Sequence, residues 1–252
     1  MKLCFDGVCA GYRGSPVLKN VSFFAESGEM TALLGPNGVG KTTLLHCLSG
    51  EKRDYSGNIL LGGENVRNLD RAGLARQLAC LPQNLPMPHV TVAELVAFGR
   101  APYLPLLGKL RGEDREKVEW ALEAVGMTAY GNAFVDTLSG GQRKKAFLAM
   151  TLAQDTPVVV LDEPTAHLDT ASRFEMLERI SVLCEKTKKT FLVVMHDLPE
   201  VFRYANRAVV LCGGEVAFTG TPQDCLSSGI PECCFGITLT GDKETGFGVR
   251  PR

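Results

Sequence analysis

Residues 35–43 read Gly35-Pro36-Asn37-Gly38-Val39-Gly40-Lys41-Thr42-Thr43. Their order matches the pattern G-x-x-x-x-G-K-[ST]. The apolar run Glu29–Leu34 predicts a buried strand before them, and a helix is predicted from about Lys41 to Ser49. In that context the glycines let the backbone wrap closely around phosphate oxygens, and the N–H groups at the helix start face the negative charge. The segment therefore predicts a phosphate-binding loop.

Two side chains of the loop have separate predicted roles. Lys41 is expected to reach the β- and γ-phosphates of a nucleotide, and the Thr42 hydroxyl is expected to ligate Mg²⁺. The alternative is a glycine-rich turn that binds nothing. The flanking strand and helix disfavour that alternative, because they are the structural context that the motif requires.

Candidate catalytic groups follow two later apolar runs. Val158–Leu161 is followed by Asp162 and Glu163, and Phe191–Met195 is followed by His196. Ligands lie at the carboxyl ends of parallel strands, so these side chains are expected near the phosphate loop. We predict that Asp162 holds Mg²⁺ through water, that Glu163 polarises the attacking water, and that His196 contacts the γ-phosphate. The alternatives are an exposed acidic turn and a structural histidine, but two adjacent acids at a buried strand end need a charge partner.

The order of patterns along the chain predicts an α/β fold. Leu3–Cys9 and Val17–Ala25 read as strands, the segment from about 90 to 153 reads as helical, and Thr170–Glu185 reads as a helix between two buried strands. Phe174, Leu177 and Ser181 or Cys184 are predicted to share one face of that helix. Strand–helix–strand with buried strands indicates a parallel sheet. The prediction is an α/β core with a β layer at the front and a helical insertion between its halves.

Composition excludes several classes of protein. The chain has 252 residues, of which 45% are hydrophobic, with 27 Lys and Arg against 28 Asp and Glu, so the net charge is −1. A chain this apolar is not disordered, and near-neutral charge argues against a main role in coating nucleic acid. No run approaches the roughly 20 apolar residues that span a bilayer. We therefore expect any membrane role to come through a partner.

Nine cysteines occur without the spacing of a zinc site, and two of them, Cys233 and Cys234, are adjacent. An odd number of irregularly spaced cysteines makes a poor disulfide framework. We interpret them as reduced thiols of a cytoplasmic protein that act as small apolar side chains.

One motif distinguishes between families of proteins with a phosphate loop. It is Leu138-Ser139-Gly140-Gly141-Gln142, followed by Arg143-Lys144-Lys145. A phosphate loop alone occurs in many kinases and GTPases. This pentapeptide between a phosphate loop and an Asp-Glu strand end resembles the ATP-binding subunits of ATP-binding cassette (ABC) transporters, from Leu3 to about Ile237. The resemblance implies a P-loop NTPase (RecA-like) core with an N-terminal antiparallel β subdomain and an inserted α-helical subdomain.

The resemblance also implies domain limits. It places a nucleotide-binding domain over residues 1–238, with the RecA-like core at about 1–89 and 155–220 and the helical subdomain at about 90–154. The remaining residues, 239–252, are rich in glycine and charge, and we expect a short mobile tail without a role.

Further site residues follow from the resemblance alone. Tyr12 occupies the position of the aromatic residue that stacks on adenine, and Gln83 that of the glutamine that ligates Mg²⁺ and senses the γ-phosphate. Asp169 is the acid of a loop that crosses the dimer interface, and His196 matches the switch histidine. The pentapeptide Leu138–Gln142 is expected to bind the ATP held by the other subunit.

That last expectation also has a physical basis in the residues. Ser139 is a favourable N-cap, and Gly140 and Gly141 leave backbone N–H groups open at a helix start, which makes a second anion site. Because the phosphate loop already surrounds its own nucleotide, a second anion site is most useful to a nucleotide on a partner. We therefore predict that two copies sandwich two ATP molecules head to tail with twofold symmetry.

Three segments resemble a subfamily, the ATPase subunits of bacterial ferric-siderophore, haem and cobalamin importers. They are Thr91–Arg100, Asp114–Val118 and Ala149–Pro157. The resemblance implies ATP and Mg²⁺ as cofactors, a homodimer, a polytopic permease at the cytoplasmic face of the inner or plasma membrane, an indirect link to a substrate-binding protein, and no nucleic acid.

The predicted cargo is an iron-siderophore or a haem-type compound, and three readings compete with it. They are import of cobalamin or another metal chelate, a soluble ABC ATPase of iron–sulfur cluster assembly, and an exporter subunit. The sequence departs from the usual family pattern at His167, at Met195, and at Arg143-Lys144-Lys145 in place of Arg-Gln-Arg. His167 lies in the loop that the resemblance places at the dimer interface, and its effect on that contact is left open.

Overall fold

The computed structural model describes residues 1–12, 14–105, 108–242 and 246–251. The strands are β1 Leu3–Tyr12, β2 Ser15–Ala25, β3 Met30–Leu34, β4 Tyr55–Leu61, β5 Glu64–Asn65, β6 Leu78–Leu81, β7 Val158–Asp162, β8 Thr190–Val194, β9 Arg207–Cys212, β10 Glu215–Gly220, β11 Ile237–Asp242 and β12 Gly246–Pro251. The helices are α1 Lys41–Leu48, α2 Arg71–Gln77, α3 Val92–Phe98, α4 Gly112–Ala124, α5 Gly140–Ala153, α6 Thr170–Thr187, α7 Leu198–Tyr204, α8 Pro222–Ser227 and α9 Ile230–Phe235.

The main sheet has the strand order β10-β9-β3-β8-β7-β6, and its strands run parallel except for β10, which pairs antiparallel with β9. Leu33 of β3 lies between Val194 of β8 and Val209 of β9. Every residue of β3 and β8 is buried, because both faces of the sheet are covered. This register places the carboxyl ends of β3, β7 and β8 at one edge, where the predicted site residues follow.

Two apolar clusters lie on opposite faces of this sheet. Ala32 and Leu34 point into a cluster that includes helices α3 to α7, whereas Leu33 points into a cluster that includes α1 and the front strands. The alternation is the period-two geometry of a strand. The front sheet has the order β2-β1-β4-β5 and is antiparallel, with Leu3 paired to both Ala25 and Leu61. The predicted α/β class, with its β layer and helical insertion, is confirmed.

The helical insertion consists of α3, α4 and α5 and lies between β6 and β7. Thr91 and Glu94 form a capping box that fixes the start of α3. A buried ion pair then joins its helices: Arg100 Nε donates to Asp114 Oδ1 at 3.0 Å, and Arg100 Nη1 donates to the carbonyl of Ala153 at 2.8 Å. The insertion is therefore held together by a charged contact that is sealed from water as well as by apolar packing.

Removing one partner of this pair is expected to destabilise the chain strongly. Asp114→Ala leaves the Arg100 guanidinium buried without a counter-charge, which costs about 3–5 kcal/mol in the free energy of unfolding. Urea unfolding measures the loss. The control is Glu26→Ala, which breaks the exposed Lys2–Glu26 pair and should cost under about 1 kcal/mol. Equal losses in the two variants would contradict the role given to burial.

Two expectations about local structure are wrong. Phe174 is 38% exposed, because the buried stripe of α6 runs through Met176, Leu177, Ile180, Leu183 and Cys184, and Phe174 lies outside it. The segment 239–252 is not an unstructured tail over residues 239–242 and 246–251, where β11 and β12 pair as a hairpin; residues 243–245 and 252 lie outside the described part. The signal for this hairpin was the alternation of apolar residues in Ile237-Thr-Leu-Thr and Phe247-Gly-Val.

Among the described helices, none combines the length and apolar character needed to cross a membrane.

Candidate active site

The phosphate loop connects β3 to α1 and depends on glycine at two positions. Gly35 has φ 153°, and a Cβ there would lie 2.6 Å from the carbonyl oxygen of Leu211. Gly40 has φ 113°, and its Cβ would lie 2.6 Å from a methyl carbon of Leu18. Only glycine adopts these conformations against such close neighbours without strain. The loop therefore fits tightly against the sheet and the front layer.

The start of α1 is built to receive an anion. Its N-cap Gly40 offers no side-chain acceptor, and its first turn has no acidic residue, so the first N–H groups remain open. Lys41 is buried, and its Nζ donates to the carbonyls of Gly35 at 2.7 Å and Pro36 at 3.0 Å. Burial lowers the pKa of Lys41, while the nearby negative charges of Glu163 and Asp162 oppose that shift. These groups fit a polyphosphate, whose charge would favour the ammonium form.

The acidic edge of the sheet assembles around Glu163. Asp162 ends β7, and Glu163 follows it. Gln83 Nε2 donates to Glu163 Oε2 at 2.8 Å, and His196 Nε2 hydrogen-bonds Glu163 Oε1. Burial, and then the charge of Glu163, raise the pKa of Asp162. Gln83 and His196, which were predicted from distant parts of the sequence, thus both contact the carboxylate of Glu163.

The loop and the acidic edge face each other across a cleft of about 580 Å³. The side chains and backbone that line it are those of Asn37, Gly38, Gly40, Lys41, Thr42, Thr43, Gln83, Glu163 and His196. Within the described residues, no group of three or more His, Cys, Asp or Glu side chains is arranged to hold a metal ion.

The pentapeptide lies at the start of α5 and does not line this cleft. Ser139 and Gln142 form a capping box, in which Ser139 Oγ accepts from the backbone N–H of Gln142 at 3.3 Å and Gln142 Oε1 accepts from the N–H of Ser139 at 3.0 Å. Gly140 lines a second, smaller cleft with His167 and Lys144. No Cβ contact within 4 Å constrains Gly140, so its backbone faces open space.

Tyr12 and Asp169, whose roles were predicted only from the family resemblance, do not line the cleft in a single copy of the chain. Tyr12 ends β1, is 50% exposed, and has the Lys52 ammonium 4.5 Å from its ring centroid. Asp169 caps α6 by accepting from the N–H of Ser172 at 3.0 Å and from its hydroxyl at 2.7 Å. These hydrogen bonds lower the pKa of Asp169. Their predicted contacts with adenine and with a second copy stay predictions.

Sequence reasoning missed one residue of the site, Lys144. Its side chain is 8% exposed, and its Nζ donates to the backbone carbonyl of Glu163 at 2.8 Å. The available signal was the need for a charge partner beside two adjacent acids at the end of a buried strand. Nothing local to residues 162–163 indicates that the partner comes from α5.

A glycine loop at a helix start, opposite an Asp-Glu pair that ends a buried strand of a parallel sheet, defines a P-loop nucleotide hydrolase. A family model described as ABC transporter matches residues 18–166. The chain belongs to the ABC transporter family, and it is an ATP-binding subunit, an ATPase coupled to transport.

Similar proteins cover most of the chain. The ferric enterobactin transport ATP-binding protein FepC of Escherichia coli (strain K12) is 39% identical over 90% of this chain and 84% of its own. The petrobactin import ATP-binding protein FpuC of Bacillus anthracis is 38% identical over 88% and 82%. The iron(3+)-hydroxamate import ATP-binding protein FhuC of Bacillus subtilis (strain 168) is 36% identical over 90% and 85%.

Solved structures agree on the architecture. CbiO1 from Clostridium perfringens, part of the ABC transporter complex cbiONQ, has a TM-score of 0.80 at 28% identity and covers 89% of this chain and 90% of its own. An inward-facing transporter described as of metal-chelate type has a TM-score of 0.84 at 24% identity and covers 99% and 97%. The second likeness supports the fold.

Proposed function

We propose that this chain powers a bacterial importer of iron chelates and that its cargo is a ferric siderophore. The observation that carries the proposal is the printed function of three relatives, which are ATP-binding proteins for ferric enterobactin, petrobactin and iron(3+)-hydroxamate. Each matches most of both chains at 36–39% identity. The cargo is inferred from these relatives, because we do not expect it to contact an ATP-binding subunit.

The hydrolysis step can be derived from the cleft. The phosphates of ATP lie against the loop Gly35–Thr43, and Lys41 exchanges its two carbonyl acceptors for phosphate oxygens. Glu163 directs a water at the γ-phosphate, and Gln83 and His196 hold its carboxylate in place. Positioning and charge stabilisation supply most of the catalysis in phosphoryl transfer.

Mg²⁺ fits the oxygen donors at this cleft, where Thr42 and Gln83 line the wall and Asp162 ends the strand β7 beside Glu163; these three residues would hold it. They offer hydroxyl, amide and carboxylate oxygens, which are the ligands that Mg²⁺ prefers, and it usually keeps phosphate oxygens and waters as the others. When bound, the ion would supply positive charge that stabilises the transferred phosphoryl group.

The proposed assembly is a dimer of this chain bound to a membrane permease. Two copies pair head to tail, so that Ser139–Gln142 of each reaches the nucleotide of the other, and Asp169 lies in the loop at their interface. The helical insertion, hinged near Gln83, passes the closure of this dimer to a polytopic permease, with a substrate-binding protein on the far side. The chain is then peripheral on the cytoplasmic face of the membrane and has no nucleic acid partner. We keep 1–238 as its nucleotide-binding domain, with core and insertion limits as predicted.

The experiment is cargo-stimulated ATP hydrolysis. The chain is purified with its co-purifying membrane partner, reconstituted in liposomes with the binding protein, and assayed with a ferric catecholate siderophore, a ferric hydroxamate, haem and cobalamin in turn. We expect a ferric siderophore to raise the rate of ATP hydrolysis severalfold and cobalamin to leave it unchanged. Stimulation by haem or cobalamin alone would reassign the cargo. A chain that recovers no polytopic partner would contradict import and favour an assembly ATPase.

A further inference from the structure

Lys144 is a buried cation that the hydrolysis step above does not use. It lies one turn into α5, close behind the pentapeptide. Its side chain is 8% exposed, and its Nζ donates to the main-chain carbonyl of Glu163 at 2.8 Å. A buried ammonium is costly unless it is paired and hydrogen-bonded. The hydrogen bond to Glu163 offsets part of that cost.

The main chain of Glu163 is held in an unusual conformation. Its φ is 51°, in the left-handed region that non-glycine residues adopt rarely. Its N–H donates to the carbonyl of Val194 at 3.1 Å, and its carbonyl accepts both Lys144 and the N–H of Ala166, the latter at 3.2 Å. Such conformations persist only where the surroundings over-determine them, and they concentrate at functional sites. Of these three hydrogen bonds, only the one from Lys144 is made by a side chain.

Lys144 also interacts electrostatically with Asp162 and Glu163 at the end of β7. Two lysines, Lys41 and Lys144, are close enough to Asp162 and Glu163 for both carboxylates to stabilise their charged forms. Burial outweighs that effect at Lys144 and lowers its pKa to about 8. When Lys41 turns to the nucleotide phosphates, Lys144 remains behind the two carboxylates. Its bond to the backbone, rather than to a carboxylate oxygen, leaves the Glu163 side chain free for Gln83 and His196.

We infer that Lys144 is a positioning residue for ATP hydrolysis, which holds the left-handed main chain of Glu163 and so aims its carboxylate into the cleft. This inference rests on the role proposed for Glu163. It also places the contact on α5, so the helix that begins with the pentapeptide Leu138–Gln142 is tied directly to the catalytic glutamate of the same chain.

The test compares three variants of the full-length chain. Lys144→Met removes the donor and the charge but keeps an unbranched side chain of similar length. Lys144→Arg keeps both. Lys145→Met is the matched control, because Lys145 is the next residue of α5 and its Nζ binds Glu175 at 2.7 Å, outside the cleft. Each variant is assayed for kcat, for KM for ATP, for ATP binding by fluorescence titration, and for thermal unfolding.

We expect Lys144→Met to lower kcat about tenfold, the effect of losing one hydrogen bond from a charged group, with KM and ATP affinity within about twofold of wild type. Lys144→Arg should recover most of the lost kcat, and Lys145→Met should match wild type. A merely structural lysine would instead change ATP affinity and thermal unfolding together with kcat.

Two results would overturn the inference. One is a Lys144→Met chain whose kcat stays within about twofold of wild type; the other is a loss of kcat that accompanies an equal loss of ATP binding or an unfolded chain. Glu163→Gln, assayed in parallel, separates this from the proposed function. If Glu163→Gln loses turnover while Lys144→Met keeps it, only the positioning role fails. If Glu163→Gln keeps normal turnover, the assignment of Glu163 fails, and the positioning role fails with it.

Discussion

Glu163→Gln is expected to bind ATP as tightly as the wild-type chain and to hydrolyse it at least about 100-fold more slowly. The substitution keeps the size and shape of the side chain, so the cleft that faces Lys41 and Thr42 is unchanged. It removes a negative charge that draws the proton from the attacking water. Binding and turnover should therefore separate in this variant.

The geometry around Glu163 explains why an amide should be tolerated structurally. Its carboxylate accepts from Gln83 Nε2 at 2.8 Å on one oxygen and meets His196 on the other. A glutamine at 163 keeps an oxygen for Gln83 and a polar amide group for His196. The main-chain contacts of residue 163 to Val194 and Lys144 do not involve the side chain and persist.

The measurement is single-turnover and steady-state hydrolysis beside ATP binding, on the purified complex. Glu175→Gln is the matched control, because it makes the same change at an exposed carboxylate that pairs with Lys145 and Arg179 outside the cleft. That control should hydrolyse at the wild-type rate. Near-normal turnover by Glu163→Gln would contradict the role assigned to Glu163.

The phosphate loop and the order of the strands were predictable because their signals are local. The loop motif occupies nine consecutive residues, and the buried strands β3, β7 and β8 appear as short unbroken apolar runs. The carboxyl ends of parallel strands meet at one edge, so Glu163 and His196 could be placed together without knowledge of any contact. The α/β class and the meeting of these residues at one cleft followed from these rules.

Weaker or longer-range signals were missed. The edge strand β6, Leu78–Leu81, has only four residues, too few for periodicity to stand out. Lys144 lies 19 residues before Glu163, and the contact depends on how α5 packs against the main sheet. The hairpin of β11 and β12 was overlooked because glycine and charge in that segment hid its alternation.

The roles predicted for Asp169 and Tyr12 require a second copy of the chain and a bound nucleotide. The Asp169 carboxylate is occupied as the cap of α6, and Tyr12 lies beside Lys52 rather than in the cleft. Neither arrangement within one chain reveals a role, because the surfaces that would complete both sites lie outside it. For such residues the family resemblance carries information that the geometry of a single chain does not contain.

Ser139→Arg is expected to abolish ATP hydrolysis while leaving ATP binding to the isolated chain largely intact. Ser139 caps α5 and leaves the N–H groups of Gly140 and Gly141 open beside it, whereas the phosphate loop that binds the chain's own nucleotide is built from other residues. Loss of the cap costs only about 1 kcal/mol, so the chain should still fold. A long cationic side chain would fill the space in which the partner's nucleotide must lie.

The experiment can test the head-to-tail arrangement directly by mixing variants. Ser139→Arg retains a working phosphate loop, and Lys41→Ala retains a working pentapeptide. Each alone should show no turnover, but a mixed dimer contains one intact site, formed by the loop of the first variant and the pentapeptide of the second. Turnover that returns on mixing therefore requires the two halves to come from different chains. Ser227→Arg, on an exposed position of α8, controls for the added charge and should behave as wild type. Full activity of Ser139→Arg alone would contradict the sandwich, because a site contained within one chain is the arrangement that such a result requires.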